Sequence, residues 1–257
     1  MGVDIFCLGK KFLVYNLVGR NLKVKYRRSI FGFLWTLLNP LAMTTVFYLV
    51  FKVVMKVQVP HYLAFILTGL LPWTFFSQTM VEGMESIVGS LGLLSKVPIP
   101  FQLFPLVGSI TNFITLALSL PILFAAALLT GCNLGISWVL LPFYFAALFV
   151  FTYMLSFVFG VFFVYFRDLR HLTGILLQVW FYATPVIYDD QMIPPQYRWI
   201  LYANPLGTLF RGLHGIVVDG RWPTFLEMAT TSAWTLAVFL FALLVYRKVW
   251  RDLVERI

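Results

Sequence analysis

The chain alternates between long apolar, uncharged stretches and short segments that gather nearly all of its charge. Uncharged apolar runs occupy 31–51, 62–81, 104–129, 138–166, 172–188 and 228–246. A helix needs about 20 apolar residues to cross the hydrocarbon core, whereas a membrane strand needs about 10 and alternates polar with apolar. Length therefore decides for helices, and the pattern predicts an all-α integral membrane protein with six transmembrane helices. No charged residue occurs between Val97 and Phe166, so that stretch holds two crossings joined by the turn-like TGCNLGIS at 130–137. The whole of 1–257 reads as one transmembrane domain.

Three segments fall between or before the spans. In 1–29, the apolar residues Ile5, Leu8, Phe12, Tyr15, Val18 and Leu22 recur at helical spacing, with Lys10, Asn21 and Lys25 roughly opposite. This predicts an N-terminal amphipathic helix lying in the inner interface; Phe6, Leu13 and Leu17 fall off the stripe, so one face meets lipid and another protein. A plain juxtamembrane anchor is the alternative. At its end, Arg20, Lys23, Lys25, Arg27 and Arg28 form a cluster able to hold a pyrophosphate or phospholipid headgroup, although sorting of basic residues to the cytoplasmic side alone produces such a cluster.

The loop 82–98 carries Glu82 and Glu85 early and Lys96 late, matching the dipole of a short helix along the membrane that could receive a cytoplasmic partner; its three glycines keep a simple connecting loop open. In 189–227, the stretches 199–202 and 206–218 are too apolar for a free loop and too short to cross, and read as a re-entrant pair of short helices. Asn204-Pro205 supplies a cap and a first-turn proline for the second of them. Non-helical backbone at that depth survives only where protein or a water-filled cavity satisfies it, which suggests a plug above a path. Asp189, Asp190, Arg198 and Arg211 could latch this outer gate beside Trp199; a surface charge mixture without a role is the alternative.

Composition narrows the function. Hydrophobic residues make up 61% of the chain and charged residues 11%, which excludes an ordinary soluble domain. The net charge of +9 is mostly a topology signal. In the six-span arrangement fourteen Lys and Arg fall on one side and five on the other, namely Lys52, Lys56, Arg198, Arg211 and Arg221, which puts both termini in the cytoplasm and argues against nucleic-acid binding. The first residues lack the pattern of a cleaved signal peptide. Cys7 and Cys132 fall near opposite faces and cannot pair. No phosphate-binding G-x-x-x-x-G-K-[ST] loop occurs, His61, His171 and His214 have no metal or relay spacing, and the spans hold no ionisable residue to couple an ion gradient. Energy for transport must come from a partner.

Aromatics make up 18% of the chain, and Trp35, Trp73, Phe75, Phe76, Trp180, Phe181 and Tyr182 sit within spans, where rings could stack on the apolar faces of sugars; interfacial belts and packing are the alternative use. RRSIFGFLWTLLNP in the first span, VYFRDLRHL at the end of the fourth, and YATPVIY followed by NPL and Arg211 resemble the membrane (permease) subunits of ABC transporters that export O-antigen, capsule and teichoic acid. The resemblance implies an inner-membrane homodimer paired with two ATP-binding subunits. These would bind ATP and Mg, leaving this chain without catalytic residues, metal or cofactor. It also implies a polyprenyl-pyrophosphate-linked polysaccharide as cargo, contact of Glu82, Glu85, Ser90 and Lys96 with the ATPase, lipid-pyrophosphate access beside Arg20 to Arg28, and an outer gate in 189–218. An exporter of a small lipid or drug is the nearer rival, and a membrane enzyme using Asp189 and Asp190 on lipid-linked sugars the farther one.

Overall fold

The computed structural model describes residues 6–26, 34–94 and 99–256, and among them every regular element is helical. A short turn, Leu8–Lys10, leads into α1 (Lys11–Tyr26). Then come α2 (Leu34–Phe47), extended by a wide π-turn Tyr48–Val54, and α3 (Tyr62–Gly89) with the single turn α4 (Leu91–Leu94). α5 (Leu103–Thr130) and α6 (Leu141–Tyr165) form an antiparallel pair. α7 (Leu169–Ala183), α8 (Trp199–Ala203), α9 (Gly207–Val217) and α10 (Phe225–Arg256) complete the chain.

Among the described residues, five helices are long and apolar enough to cross a bilayer: Leu34–Val54, Tyr62–Gly89, Leu103–Thr130, Ile136–Tyr165 and Phe225–Val249. α3 is the axis of the bundle, with 78% of its apolar window buried against 11% for α2. It packs on α5 and α6 along its length and also touches α7 and α9. The peripheral helices turn Leu, Val and Phe side chains outward, because hydrocarbon rather than water surrounds them. The turn foreseen at 130–137 forms as a glycine-capped helix end: Gly131 adopts φ 76°, and the Cys132 amide donates to Ala127 O at 2.9 Å.

Four expectations change. The fifth run is helical only for the 15 residues of α7, about 22 Å, because Pro185 holds Thr184 extended and ends the helix. The coupling segment does not start a helix at Glu82; α3 runs unbroken to Gly89, so Glu82 and Glu85 sit near its C-terminal end, where the dipole disfavours them, and Lys25 and Arg170 compensate. The last helix begins at Phe225, which places Glu227 inside a candidate span, and Lys52 lies in another. On α1, Leu13, Val14, Leu17, Val18 and Leu22 pack on protein, whereas Phe12 and Tyr15 are exposed. The face assigned from spacing was therefore rotated, since the true contact surface includes the residues that seemed off the stripe. Ile5, Arg27, Arg28 and Lys96 lie outside the described residues.

α7 and the turn residues after it run antiparallel to α3. Arg170 Nε donates to Glu85 Oε1 at 2.6 Å, and Thr173 meets Met84 Sδ at 3.3 Å. Trp180 sits edge-on to Phe76 and Phe181 to Trp73, each at 5.3 Å between ring centres. Beyond the helix, Val186 covers Gly69, and Tyr62 donates to Ile187 O at 3.0 Å. On α3, the stretch from Glu85 to Tyr62 is about 35 Å of helix. Arg170 to Ile187 pairs with it using fewer residues: α7 covers the lower part, and a tight turn at Thr184–Pro185, where the Val186 amide donates to Thr184 O at 2.7 Å, lays Val186 and Ile187 against Gly69 and Tyr62.

That match depends on Gly69, where a Cβ would overlap the Val186 carbonyl oxygen. A Cβ on Gly108 would meet nothing within 4 Å. Gly69→Ala is expected to cost about 1–3 kcal/mol through forced repacking, and Gly108→Ala to leave thermal unfolding in detergent unchanged or slightly raised. Equal melting temperatures for the two variants would refute this register.

Candidate translocation path and outer gate

The turn between α8 and α9 lies at the level of the middle of α3, and Asn204 fixes it there. Its Oδ1 accepts from Trp180 Nε1 at 2.8 Å and from the Leu206 amide at 3.0 Å. Its Nδ2 donates to Ala183 O at 3.0 Å and Thr184 Oγ1 at 2.9 Å. One amide side chain thus satisfies the frayed end of α7 and the start of α9 together. From this turn α9 climbs beside α3: Phe210 approaches Trp73, while His214 stacks on Phe65 at 4.0 Å and its Nε2–H donates to Phe65 O at 3.1 Å. The Thr208 and Thr231 hydroxyls meet at 3.2 Å, and Trp234 Nε1 donates to Tyr202 O at 3.0 Å, tying the α8–α9 pair to α10.

The far end of this pair is closed by ions. Glu227, with a side chain only 1% exposed, receives both Arg221 Nη1 at 2.9 Å and Nη2 at 3.0 Å, a bidentate pairing. Arg211 Nε lies 2.9 Å from Glu227 Oε1 and 3.0 Å from Asp190 Oδ2, its N–H aligned on neither oxygen. Asp219 approaches Arg221 at 3.6 Å. Three carboxylates thus face two guanidiniums. Burial pushes the Asp190 carboxyl above the usual carboxylate range and the Asp189 side chain adds to it, with Arg211 opposing. Burial likewise raises Asp219.

Of the residues nominated for this gate, Asp190 and Arg211 belong to the cluster. Asp189 caps its own turn by accepting from the Gln191 amide at 3.0 Å, Arg198 Nε donates to Ile193 O at 3.4 Å, and Trp199 is exposed. Sequence reasoning missed Glu227 and Arg221. The signal was present in Thr224-x-x-Glu227, which forms a reciprocal cap: the Thr224 amide donates to Glu227 Oε2 at 2.7 Å and the Glu227 amide to Thr224 Oγ1 at 3.2 Å.

Two cavities lie on the two sides of α2 and share Asn39, Pro40, Thr74 and Gln78. The first, about 360 Å³, opens between α2, α3 and α5 and includes Trp35 and Phe75; the second, about 470 Å³, opens toward α7 and includes Trp73, Phe181 and Tyr182. Phe76 is fully buried packing and Trp180 serves Asn204, so neither lines these cavities. Toward the C-terminal end of α3, Lys25 Nζ donates to Asn112 Oδ1 at 2.9 Å and lies 3.7 Å from Glu82, while Asn112 Nδ2 donates to Glu82 Oε2 at 2.9 Å. Arg20 and Lys23 are exposed on α1 beside a large apolar groove against α5. Ser90 ends α3, its carbonyl accepting from the Leu93 and Leu94 amides at 3.0 Å. Among the described residues no group of three or more His, Cys, Asp or Glu could hold a metal ion.

Hydrocarbon-facing helices around polar cavities, closed at one end by buried ions, define a polytopic membrane protein of the kind that moves solutes. Residues 13–218 match the family described as ABC-2 type transporter, and the chain belongs to that family of transport subunits. It is 36% identical over 213 residues to an O-antigen export system permease protein RfbA of Myxococcus xanthus, covering 82% of each chain. It is 30% identical over 209 residues to a protein of the same name from Klebsiella pneumoniae, covering 81% of each. A more distant relative, the polysialic acid transport protein KpsM of Escherichia coli, is 22% identical over 242 residues, 93% of each chain.

The ion cluster makes an ordered prediction. Glu227→Gln leaves two guanidiniums facing a neutral amide and is expected to cost about 3 kcal/mol. A carboxyl whose folded pKa is raised destabilises the native state when ionised, and that cost disappears as pH falls through its folded pKa. Asp190→Asn is therefore expected to cost under about 1 kcal/mol at neutral pH. Thermal unfolding of both variants in detergent checks the order, and an equal or larger loss for Asp190→Asn would overturn it.

Proposed function

We propose that this chain is the channel-forming half of an ATP-driven exporter that moves polyprenyl-pyrophosphate-linked polysaccharide across the inner membrane. The relatives' names support the cargo class. The observation that carries the mechanism is the run from Arg170 to Ile187, which keeps pace with α3 while Asn204 holds the α8–α9 turn at mid-height. In this reading α7 and the turn residues after it make the fifth of six crossings, α8 and α9 dip into the bilayer and return, and both termini are cytoplasmic, a reading the placement of basic residues supports.

ATP is bound and hydrolysed in two partner subunits, and two copies of this chain enclose the path. The inner extension of α3, with α4, docks the ATPase. The Arg170–Glu85 contact makes α7 a strut from that docking end to Asn204, from which α9 reaches the Arg211–Glu227 lock. Closure of the ATPases pushes on this strut and shifts α9, opening the outer end. A small-lipid or drug exporter would use the same strut, but the hydroxyl and amide side chains along the cavities favour a sugar-rich cargo.

Co-expression with its ATP-binding subunit is expected to yield a 2:2 particle by native mass spectrometry, and recovery only as a free monomer would refute the assembly. Asn204→Ala is expected to leave that particle intact while making reconstituted liposomes leak small sugars without ATP. A tight, fully active variant would show that the turn is not part of the gate.

A further inference from the structure

The cavity between α2, α3 and α5 has a lining that neither packing nor topology accounts for. The hydroxyls of Thr74, Thr115 and Ser119 donate to carbonyls four residues earlier on their own helices, at 2.7, 3.1 and 3.0 Å. This leaves the oxygens of Thr74 and Ser119 as acceptors along the cavity wall. The amides of Asn39 and Gln78 also line it, with no hydrogen-bond partner among the described residues. Gln78 lies one helical turn from Glu82 and about 24 Å along α3 from Tyr62, so this wall stands within the span. Asn39 is exposed and Gln78 half-buried on this wall, so within the span both amides need a polar occupant, water or a ligand, in the open cavity.

The chemistry of the wall selects that occupant. No carboxylate lines the cavity, which argues against a metal or organic cation. Amides offer both donors and acceptors, the hydroxyls add acceptors, and the aromatic rings of Trp35 and Phe75 offer apolar surface. A neutral ring carrying hydroxyls on its rim and C–H groups on its faces satisfies all three. Lys25, the one cation of the lining, stands with Asn112 at one end, 3.7 Å from Glu82, and a phosphate joined to such a ring would take the place of that exposed carboxylate beside it.

We propose that this cavity binds the glycosyl unit next to the cargo's phosphate, with Asn39 and Gln78 reading its hydroxyls. The proposal rests on the export reading above. It makes the site a loading pocket beside the path: α2, through Asn39 and Pro40, separates it from the aromatic cavity toward α7, into which the unit would next pass.

The test uses the purified 2:2 complex with two probes, a short prenyl pyrophosphate and the same prenyl pyrophosphate bearing one glucose. On the unmodified complex the glucosyl probe is expected to bind at least ten-fold more tightly by native mass spectrometry. Asn39→Ala combined with Gln78→Ala is expected to remove about ten-fold of that affinity while changing the sugar-free probe less than two-fold. Equal affinity of the unmodified complex for both probes would overturn the proposal without any variant, leaving the cavity to water. Variants that bind both probes as before, or lose both equally, would also overturn it. If the unmodified complex binds neither probe, the export reading itself falls and the site with it.

Discussion

A segment that leaves helical geometry inside a helical membrane bundle must find partners for every freed N–H and C=O, and here one side chain supplies them. Asn204 accepts from Trp180 and Leu206 and donates to Ala183 and Thr184, so the end of α7 and the start of α9 are satisfied by the same amide. Without it the α8–α9 pair would have no reason to sit beside the middle of α3. Much of the outer half of the molecule follows: α9 along Phe65 and Trp73, α10 held by Tyr202, and the arginines brought to Glu227.

The two ends of the bundle solve opposite electrostatic problems. At the outer end, Glu227 is buried and tolerable only because Arg221 grips it bidentately while its own helix start and Arg211 add to the pairing. At the inner end, Glu82 and Glu85 occupy the wrong end of the α3 dipole and are more exposed. Each is compensated by a cation from another element, Lys25 of α1 and Arg170 of α7. The Glu227 cluster is therefore a buried lock, whereas the Glu82 and Glu85 pairs are more exposed contacts that contribute little each.

Between these ends the interior is divided by residue chemistry rather than by size. Phe76, Phe151 and Phe210 fill space around α3, where close packing replaces the hydrophobic drive that lipid cannot provide. Polar side chains collect instead beside α2, the least buried of the candidate spans, where the wall stays open.

Hydropathy alone settled the class: uncharged runs of bilayer length admit only helices, and the charge asymmetry follows from how such chains insert. The break at Asn204-Pro205, the short helices around it and the glycine turn after Thr130 were legible because turns are local chemistry, although α9 starts at Gly207, past Pro205, and Asn204 closes a turn before it instead of capping it. The lock at Glu227 was not, although its Thr224 cap was written in the sequence, because the value of that carboxylate depends on two arginines brought from separate segments. Nor was the protein-facing side of α1, since spacing gives a stripe but not which neighbour covers it. The fifth run shows the limit most clearly. Its apolar length was readable, but Pro185 ended the helix and made its second part a turn, and only packing against Gly69 and Tyr62 decided where that turn sits.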